Sequence, residues 1–401
     1  MNLINELLPD EILRDIFSQT QTHDFDFLGR QTVLENTRVA AAISHVSQRW
    51  RDVALAHHHL WTYIPYRNGN IAKVSENIKR SGPLPLSLYI WLDREDPAGL
   101  AIIRQHLSRA QHLSICADEH NTDYLQSVLC SHTAPLLESL SFTFHGKEDI
   151  MAAVSVPYLP VAPWYPKDIQ TIRFQVLRRL RITGIELRKQ VDVFSSPLGL
   201  TSVVLEGMTP VPPIIATSAS TLTSLTLVSP CFEVHLDGPI VLPALQSLVV
   251  YGDEHGLIAA ILRAPNLKSL GCYSAIPSQL APSLAHLACR WHAAPVDSLE
   301  RMSFGTWQPD AGLPIPCVPP PIFHTFPNVM TLHITGSSIV LLQAWSASLG
   351  WFTKAGGFPW PKLASIQVDD ERLRALLVKE IGMTDRKEIA NIVELTTNIT
   401  M

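Results

Sequence analysis

An apolar pattern, Leu-x-x-Leu-x-apolar, recurs through most of the chain. It stands as Leu137-Leu140-Phe142, Leu177-Leu180-Ile182, Leu222-Leu225-Leu227, Leu245-Leu248-Val250, Leu267-Leu270-Cys272 and Leu284-Leu287-Cys289. Substituted copies are Leu200-Val203-Leu205, Val329-Leu332-Ile334 and Leu363-Ile366-Val368, and a weaker copy ends at Leu113-Ile115. The middle anchors at 180, 203, 225, 248 and 270 are spaced 22 or 23 residues apart. The longer step from 287 to 332 leaves room for a degenerate copy at Leu299-Met302-Phe304. Side chains alternate faces along a strand. Each copy therefore predicts a short strand with its last two anchors pointing inward and the residues beside them pointing out.

Proline precedes many copies, at 135, 243, 265, 282, 327 and 361. It fixes φ and donates no backbone hydrogen, which suits a loop just before a strand. Between strands, Gly256-Leu257-Ile258-Ala259-Ala260-Ile261-Leu262-Arg263 predicts a short buried helix. A strand and a helix repeating every 22–23 residues have the period of a leucine-rich repeat. Stacked units of that kind bury their leucines in one continuous core. The expected fold is α/β, with an irregular strand–helix solenoid over 83–370. Proline- and aromatic-rich stretches at 145–170 and 305–325 break the rhythm and read as loops. Residues 371–401 read as a cap or tail.

The first 66 residues follow a different pattern. Leu8-Pro9-Asp10-Glu11-Ile12-Leu13 through Phe17 predicts a helix with proline in its first turn and two acids where a helix N-terminus favours negative charge. Leu8, Ile12, Ile16 and Leu13 are expected to share one face. A second helix is expected over Val39–Val53, with Ile43, Val46 and Trp50 on one face. A third continues over Ala54–Leu60, and Trp61 closes the module. Residues 18–42 read as an insertion between the first two helices, and 67–82 as a linker. Helices this short are marginal alone and must pack on each other or on a partner.

Three clusters in this segment, Leu8-Pro9-Asp10-Glu11-Ile12-Leu13, Val46-Ser47-Gln48-Arg49-Trp50-Arg51 and Leu60-Trp61, stand in the order of an F-box. The segment resembles that family. With the repeats behind it, the chain is similar to F-box proteins with leucine-rich-repeat-like domains, such as those of mushroom-forming fungi. Two departures are the long spacing between the first clusters and Ser47 at a position where cysteine is common in the family. The resemblance implies a substrate-recognition adaptor of an SCF-type cullin–RING ubiquitin ligase. Its partners would be a Skp-type adaptor, through it a cullin, and an unidentified protein substrate. Carried over by position, Leu8, Pro9 and Ile12 would face the adaptor, with Val46 and Trp50 supporting that face. Independently of any family, a three-helix module this small leaves an apolar face for a partner helix.

Charge and composition narrow the alternatives. The 401 residues predict two or three domains at roughly 150 residues each. A net charge of −5 argues against a basic nucleic-acid-coating surface. Apolar residues at 46% and charged residues at 17% exclude wholesale disorder. No apolar run reaches the roughly 18–20 residues of a spanning helix, and the N-terminus lacks the basic-then-apolar order of a secretory signal. The six cysteines form no C-x-x-C pair, so thiols in the cytoplasm or nucleus are the simple reading.

The chain holds no G-x-S-x-G, H-E-x-x-H, P-loop or G-x-G-x-x-G motif, so no catalytic residue, cofactor or metal is assigned, and a non-enzyme is expected. His57-His58-His59 is the most metal-like cluster, but adjacent histidines on a helix point apart, and a solvated helix end is the simpler reading. Asp369-Asp370-Glu371 reads as a helix start. The serine and threonine stripe at 139, 202, 224, 247, 269, 331 and 365 suits a crowded strand face sterically. Substrate contacts, where they occur, are expected at the loop aromatics Trp164, Tyr165, Trp307 and Phe323, since aromatics dominate interface energetics. Two alternatives remain. One is a repeat scaffold with no ubiquitin role, which would bind no Skp-type adaptor. The other is an enzyme in an irregular α/β domain, which would show a pocket of convergent titratable groups.

Overall fold

The computed structural model describes residues 8–21, 30–67, 69–92, 96–117, 133–144, 176–183, 199–206, 213–228, 239–252, 262–274, 296–306, 326–335, 362–368, 375 and 393–395. The repeat at 284–289, the aromatics Trp164, Tyr165, Trp307 and Phe323, the acidic triplet at 369–371 and most of the two expected loops lie outside them. The chain is α/β, with long parallel sheet and few helices. It divides into two compact units, Met1–Val203 with Pro212–Thr217, and Val204–Val211 with Ser218–Met401.

The first unit opens with helices α1 (Asp10–Gln19), α2 (Arg30–Ser44) and α3 (Gln48–Ala56), then a 3-10 turn at His58–Trp61. Strand β1 (Tyr63–Arg67), helix α4 (Ile71–Arg80), strand β2 (Leu86–Leu92) and helix α5 (Pro97–His106) follow. Strands β3 (Ala110–Ala117), β4 (Ser139–Phe144) and β5 (Arg179–Thr183) complete the described ladder, and β6 (Ser202–Glu206) lies where the units divide. β1 to β5 pair in parallel and in chain order. Parallel neighbours need crossovers, supplied between β1, β2 and β3 by α4 and α5.

The register aligns the repeat anchors. Ile64, Leu88, Leu113, Leu140 and Leu180 form one row, and Tyr66, Ile90, Ile115, Phe142 and Ile182 form the next. Every side chain in both rows is buried. Burial of each such apolar side chain is worth about 1.5–3 kcal/mol. A one-residue slip would turn an entire row outward, so these rows fix the register.

The second unit repeats the scheme. After the short helix α6 (Pro213–Thr217) come β7 (Ser224–Val228), β8 (Ile240–Val241), β9 (Ser247–Tyr251), β10 (Leu262–Arg263), β11 (Ser269–Ser274), β12 (Arg301–Thr306), β13 (Thr331–Thr335), β14 (Ser365–Val368) and β15 (Val393–Leu395). The main ladder runs β7-β9-β11-β12-β13-β14-β15, all parallel, and β8 pairs separately with β10. Its inner rows are Leu225-Leu248-Leu270-Met302-Leu332-Ile366 and Leu227-Val250-Cys272-Phe304-Ile334-Val368. Both rows are fully buried.

The prolines act through a tight turn. Leu137, Leu245, Leu267 and Leu299 each donate a backbone hydrogen bond to the residue three before, at 3.2 Å. Pro135, Pro243 and Pro265 occupy the second position of three of those turns, where a fixed φ near −65° costs nothing. The residue before each strand then donates to the preceding rung. Gln246 reaches Thr223, Lys268 reaches Gln246, Glu300 reaches Lys268, Met330 reaches Glu300 and Ala364 reaches Met330. Asn266 adds an amide bond to the Pro243 carbonyl, and Asn328 one to Asp297, at 2.8 and 2.7 Å. The turns are thereby laced from rung to rung.

Several expectations are corrected. The single helix expected over Val39–Val53 is broken at His45-Val46-Ser47. Ser47 is extended, and its hydroxyl accepts from the Trp50 amide at 3.2 Å, so a new helix starts there. The region expected as an insertion, 18–42, carries the end of α1 and most of α2. Helix α2 packs on α3 and β1. The expected linker 67–82 contains helix α4. Leu262 and Arg263, expected as a helix end, are strand β10. The degenerate copy at Leu299-Met302-Phe304 is a full rung, β12, paired directly with β11. Two residues of the expected loop, Gly305 and Thr306, belong to that strand, and β15 lies within the expected tail.

Candidate functional site

Two apolar faces of α1 have different fates. Leu13 and Phe17, four residues apart, are buried in a cluster with Ala40, Ile43, Val53, Ala54, Leu60 and Trp61. Ile12 and Ile16, one position earlier, face outward at 44% and 39% exposure. Pro9 is exposed as well. Val46, in the turn between α2 and α3, is 54% exposed, and Leu55 on α3 is 36% exposed. Scattered exposed apolar residues are ordinary, but here Ile12 and Ile16 lie four apart on one helix surface.

The structure thus sorts the five expected docking residues into two groups. Pro9, Ile12 and Val46 are at the surface. Leu8 and Trp50 are half-buried and pack against the helical core. The Trp50 ring sits 5.1 Å from that of Phe17 at a tilted angle of 54°. Its indole nitrogen is covered and makes no hydrogen bond among the described residues. Trp61 is core, and its indole N–H donates to the Ala54 carbonyl at 2.9 Å.

Polar contacts hold this module in place. Arg49 donates from Nε and Nη2 to Asp10 Oδ1 at 3.1 and 2.6 Å, and from Nη2 to the Leu8 carbonyl at 2.5 Å. Ser18 Oγ lies 2.8 Å from His57 Nε2, joining the end of α1 to the end of α3. Burial lowers the His57 pKa, helped by His59, Arg14 and His58 and opposed by Asp15. His58 Nδ1 lies 2.6 Å from the Arg80 carbonyl, so neighbouring histidines are committed to different partners. Among the described residues, no group of three or more His, Cys, Asp or Glu side chains could hold a metal ion. None of the described helices is long and apolar enough to cross a membrane.

The outward strand positions of the second unit form another surface. Ser224, Ser247, Ser269, Thr331 and Ser365 are half-buried. Tyr251 and Tyr273, on neighbouring strands, stack with ring centroids 4.7 Å apart and planes 16° from parallel. Burial raises the Tyr251 pKa. Gly305 follows Tyr273 in the register, and a Cβ there would lie 2.0 Å from Thr335 Oγ1. Small residues on this face are therefore required by packing at one or more positions. In the first unit Ser139 and Ser141 are buried outright.

Sequence reasoning placed Ile16 on the face of Ile12 but left it out of the docking residues, and it missed Arg49 as a clamp and the tyrosine pair. Tyr251 and Tyr273 each follow their last repeat anchor by one residue, a shared position that signals side-by-side stacking. No protein-family model and no curated protein matches the chain.

Proposed function

We infer that the protein is a two-part adaptor. The helical segment is an F-box-like module that docks on a Skp-type adaptor, and through it a cullin. The strand repeats form a leucine-rich solenoid that holds a protein substrate for an SCF-type ubiquitin ligase. The observation that carries this reading is the exposure of Pro9, Ile12, Ile16 and Val46 around a separately formed core of Leu13, Phe17, Ile43 and Val53. A module that completes its own core and still presents branched apolar side chains to water has area to offer a partner. The repeat registers support the second half, since each rung adds the same two inward anchors. The protein itself carries out no bond-making step in this scheme, and the transfer chemistry belongs to partner enzymes.

The test is a binding measurement between the full chain and a purified Skp-type adaptor, with Ile12→Ser/Val46→Ser beside the wild type. Both side chains are exposed, so the double variant should fold and lose binding. A repeat scaffold with no ubiquitin role is the alternative, and it would show well-folded wild-type protein with no adaptor affinity.

A further inference from the structure

The first turn of α1 lacks the usual means of holding its end. Pro9 occupies the N-cap position and supplies no side-chain hydrogen bond. A helix start leaves its first amides without intrahelical partners, and capping side chains normally take one of them. A guanidinium donates and so takes none of those amides, but a restraint on the turn comes from another helix. Arg49 of α3 reaches back 39 residues to the Asp10 carboxylate and 41 to the Leu8 carbonyl. The two side chains are only partly shielded, at 35% and 47% exposure. That exposure limits what the ion pair adds to global stability. Its geometric effect is more specific. The guanidinium grips the backbone just before Pro9 and the acid just before Glu11 and Ile12. Its own helix begins immediately after Val46 and the capping Ser47.

We propose that Arg49 is a positioning residue for the docking face, fixing the Pro9–Ile12 turn of α1 against the start of α3, next to the turn that holds Val46. This inference rests on the docking reading above. Pre-ordering a binding face lowers the entropic cost of association, so loss of the clamp acts on affinity without touching any contacting side chain. Lysine keeps the charge but offers one point donor in place of a planar group that can span two acceptors.

The experiment compares wild type, Arg49→Ala and Arg49→Lys as full chains, with two readouts. Amide hydrogen exchange of the free protein reports the clamp itself. The Leu13 amide, bonded to the Pro9 carbonyl at 3.1 Å, is the probe, and the Arg51 amide, bonded to Ser47, is the internal control. Calorimetric titration with a Skp-type adaptor reports the face. The alanine variant should exchange Leu13 faster with Arg51 unchanged and bind the adaptor about tenfold more weakly, as loss of a charge-assisted contact implies. The lysine variant should fall between. Unchanged Leu13 exchange would overturn the inference, and so would faster exchange with undiminished adaptor affinity. Absence of wild-type binding would defeat the docking reading and with it the role given to Arg49, whereas normal wild-type binding with unchanged Leu13 exchange in the alanine variant would overturn this inference alone.

Discussion

The Tyr66 hydroxyl lies 2.8 Å from Oδ2 of Asp96, and both residues are buried. Asp96 also caps α5, accepting from the Gly99 amide at 3.0 Å. One carboxylate thus joins the end of β1 to the start of the helix after β2. Burial and the Asp96 hydrogen bond push the Tyr66 phenol well above its ordinary range, which keeps it a neutral donor. Asp96→Ala removes a helix cap and strands a buried hydroxyl. The expected loss is about 2–4 kcal/mol. Tyr66→Phe leaves the cap in place and should cost less. Scanning calorimetry of both variants checks the order, and an equal loss in the two would refute it.

The stability of the first unit should respond to acid. His57, His106 and His112 all have lowered pKa values, each chiefly through burial. Arg179 adds to the shift at His112, against Glu138, and Arg109 adds to it at His106. An unfolded histidine takes its proton near pH 6.5, whereas these take it lower when folded. The unfolded state therefore binds more protons in that window. Stability should be full above about pH 6.5 and fall as pH drops toward the folded values. Thermal midpoints at pH 7.5 and 5.5 measure the slope, and His57→Gln should flatten part of it. A midpoint that rises on acidification would contradict the assignment.

Gly305 and Gly271 offer a contrast within one sheet. A Cβ at 305 would lie 2.0 Å from Thr335 Oγ1 and 2.6 Å from the Thr335 backbone oxygen, which has nowhere to go. At 271 the nearest atoms are the Tyr273 ring edge at 3.0 Å and Val249 methyls at 3.3 and 3.4 Å, which can rotate. Gly305→Ala should therefore destabilise by about 1–3 kcal/mol or more through overpacking, and Gly271→Ala by less. Chemical denaturation of the two variants settles the order.

Trp50→Phe probes a half-buried tryptophan whose indole nitrogen has no partner among the described residues. Phenylalanine keeps an aromatic contact with Phe17 and removes the stranded donor. Restoring apolar character at an unsatisfied site is close to neutral, so the melting point should barely move. A large fall would mean that the bicyclic ring is needed for volume.

The repeat period was legible because parallel stacking makes every rung meet the same packing requirement at the same offset. Leu248, Leu270 and Leu332 stand where their spacing put them. Met302 and Phe304 show the tolerance of the pattern, since a buried row needs apolar volume rather than leucine. The strand β2 was legible in principle from Leu86, Leu88, Ile90 and Leu92 alternating with Ser87, Tyr89 and Trp91. Helix boundaries were less legible. Ile43, Val46 and Trp50 fit one helical face, yet Ser47 captures the Trp50 amide and divides it. Local side-chain capping overrode periodicity there. The exposed side of α1 was half legible: Leu13 was expected on the face of Ile12 and Ile16 but joins Phe17 in the core, because helical spacing does not say which pair turns inward. Arg49 to Asp10 is a contact between helices, and no local pattern announces it.

The most direct test of the proposed two-part adaptor function is the affinity of the full chain for a Skp-type adaptor, measured with and without Ile12→Ser/Val46→Ser and with circular dichroism on both proteins. The expected result is wild-type binding, lost in a double variant whose dichroism is unchanged. Well-folded wild-type protein that binds no such adaptor, or a double variant that binds as well as wild type, would contradict it.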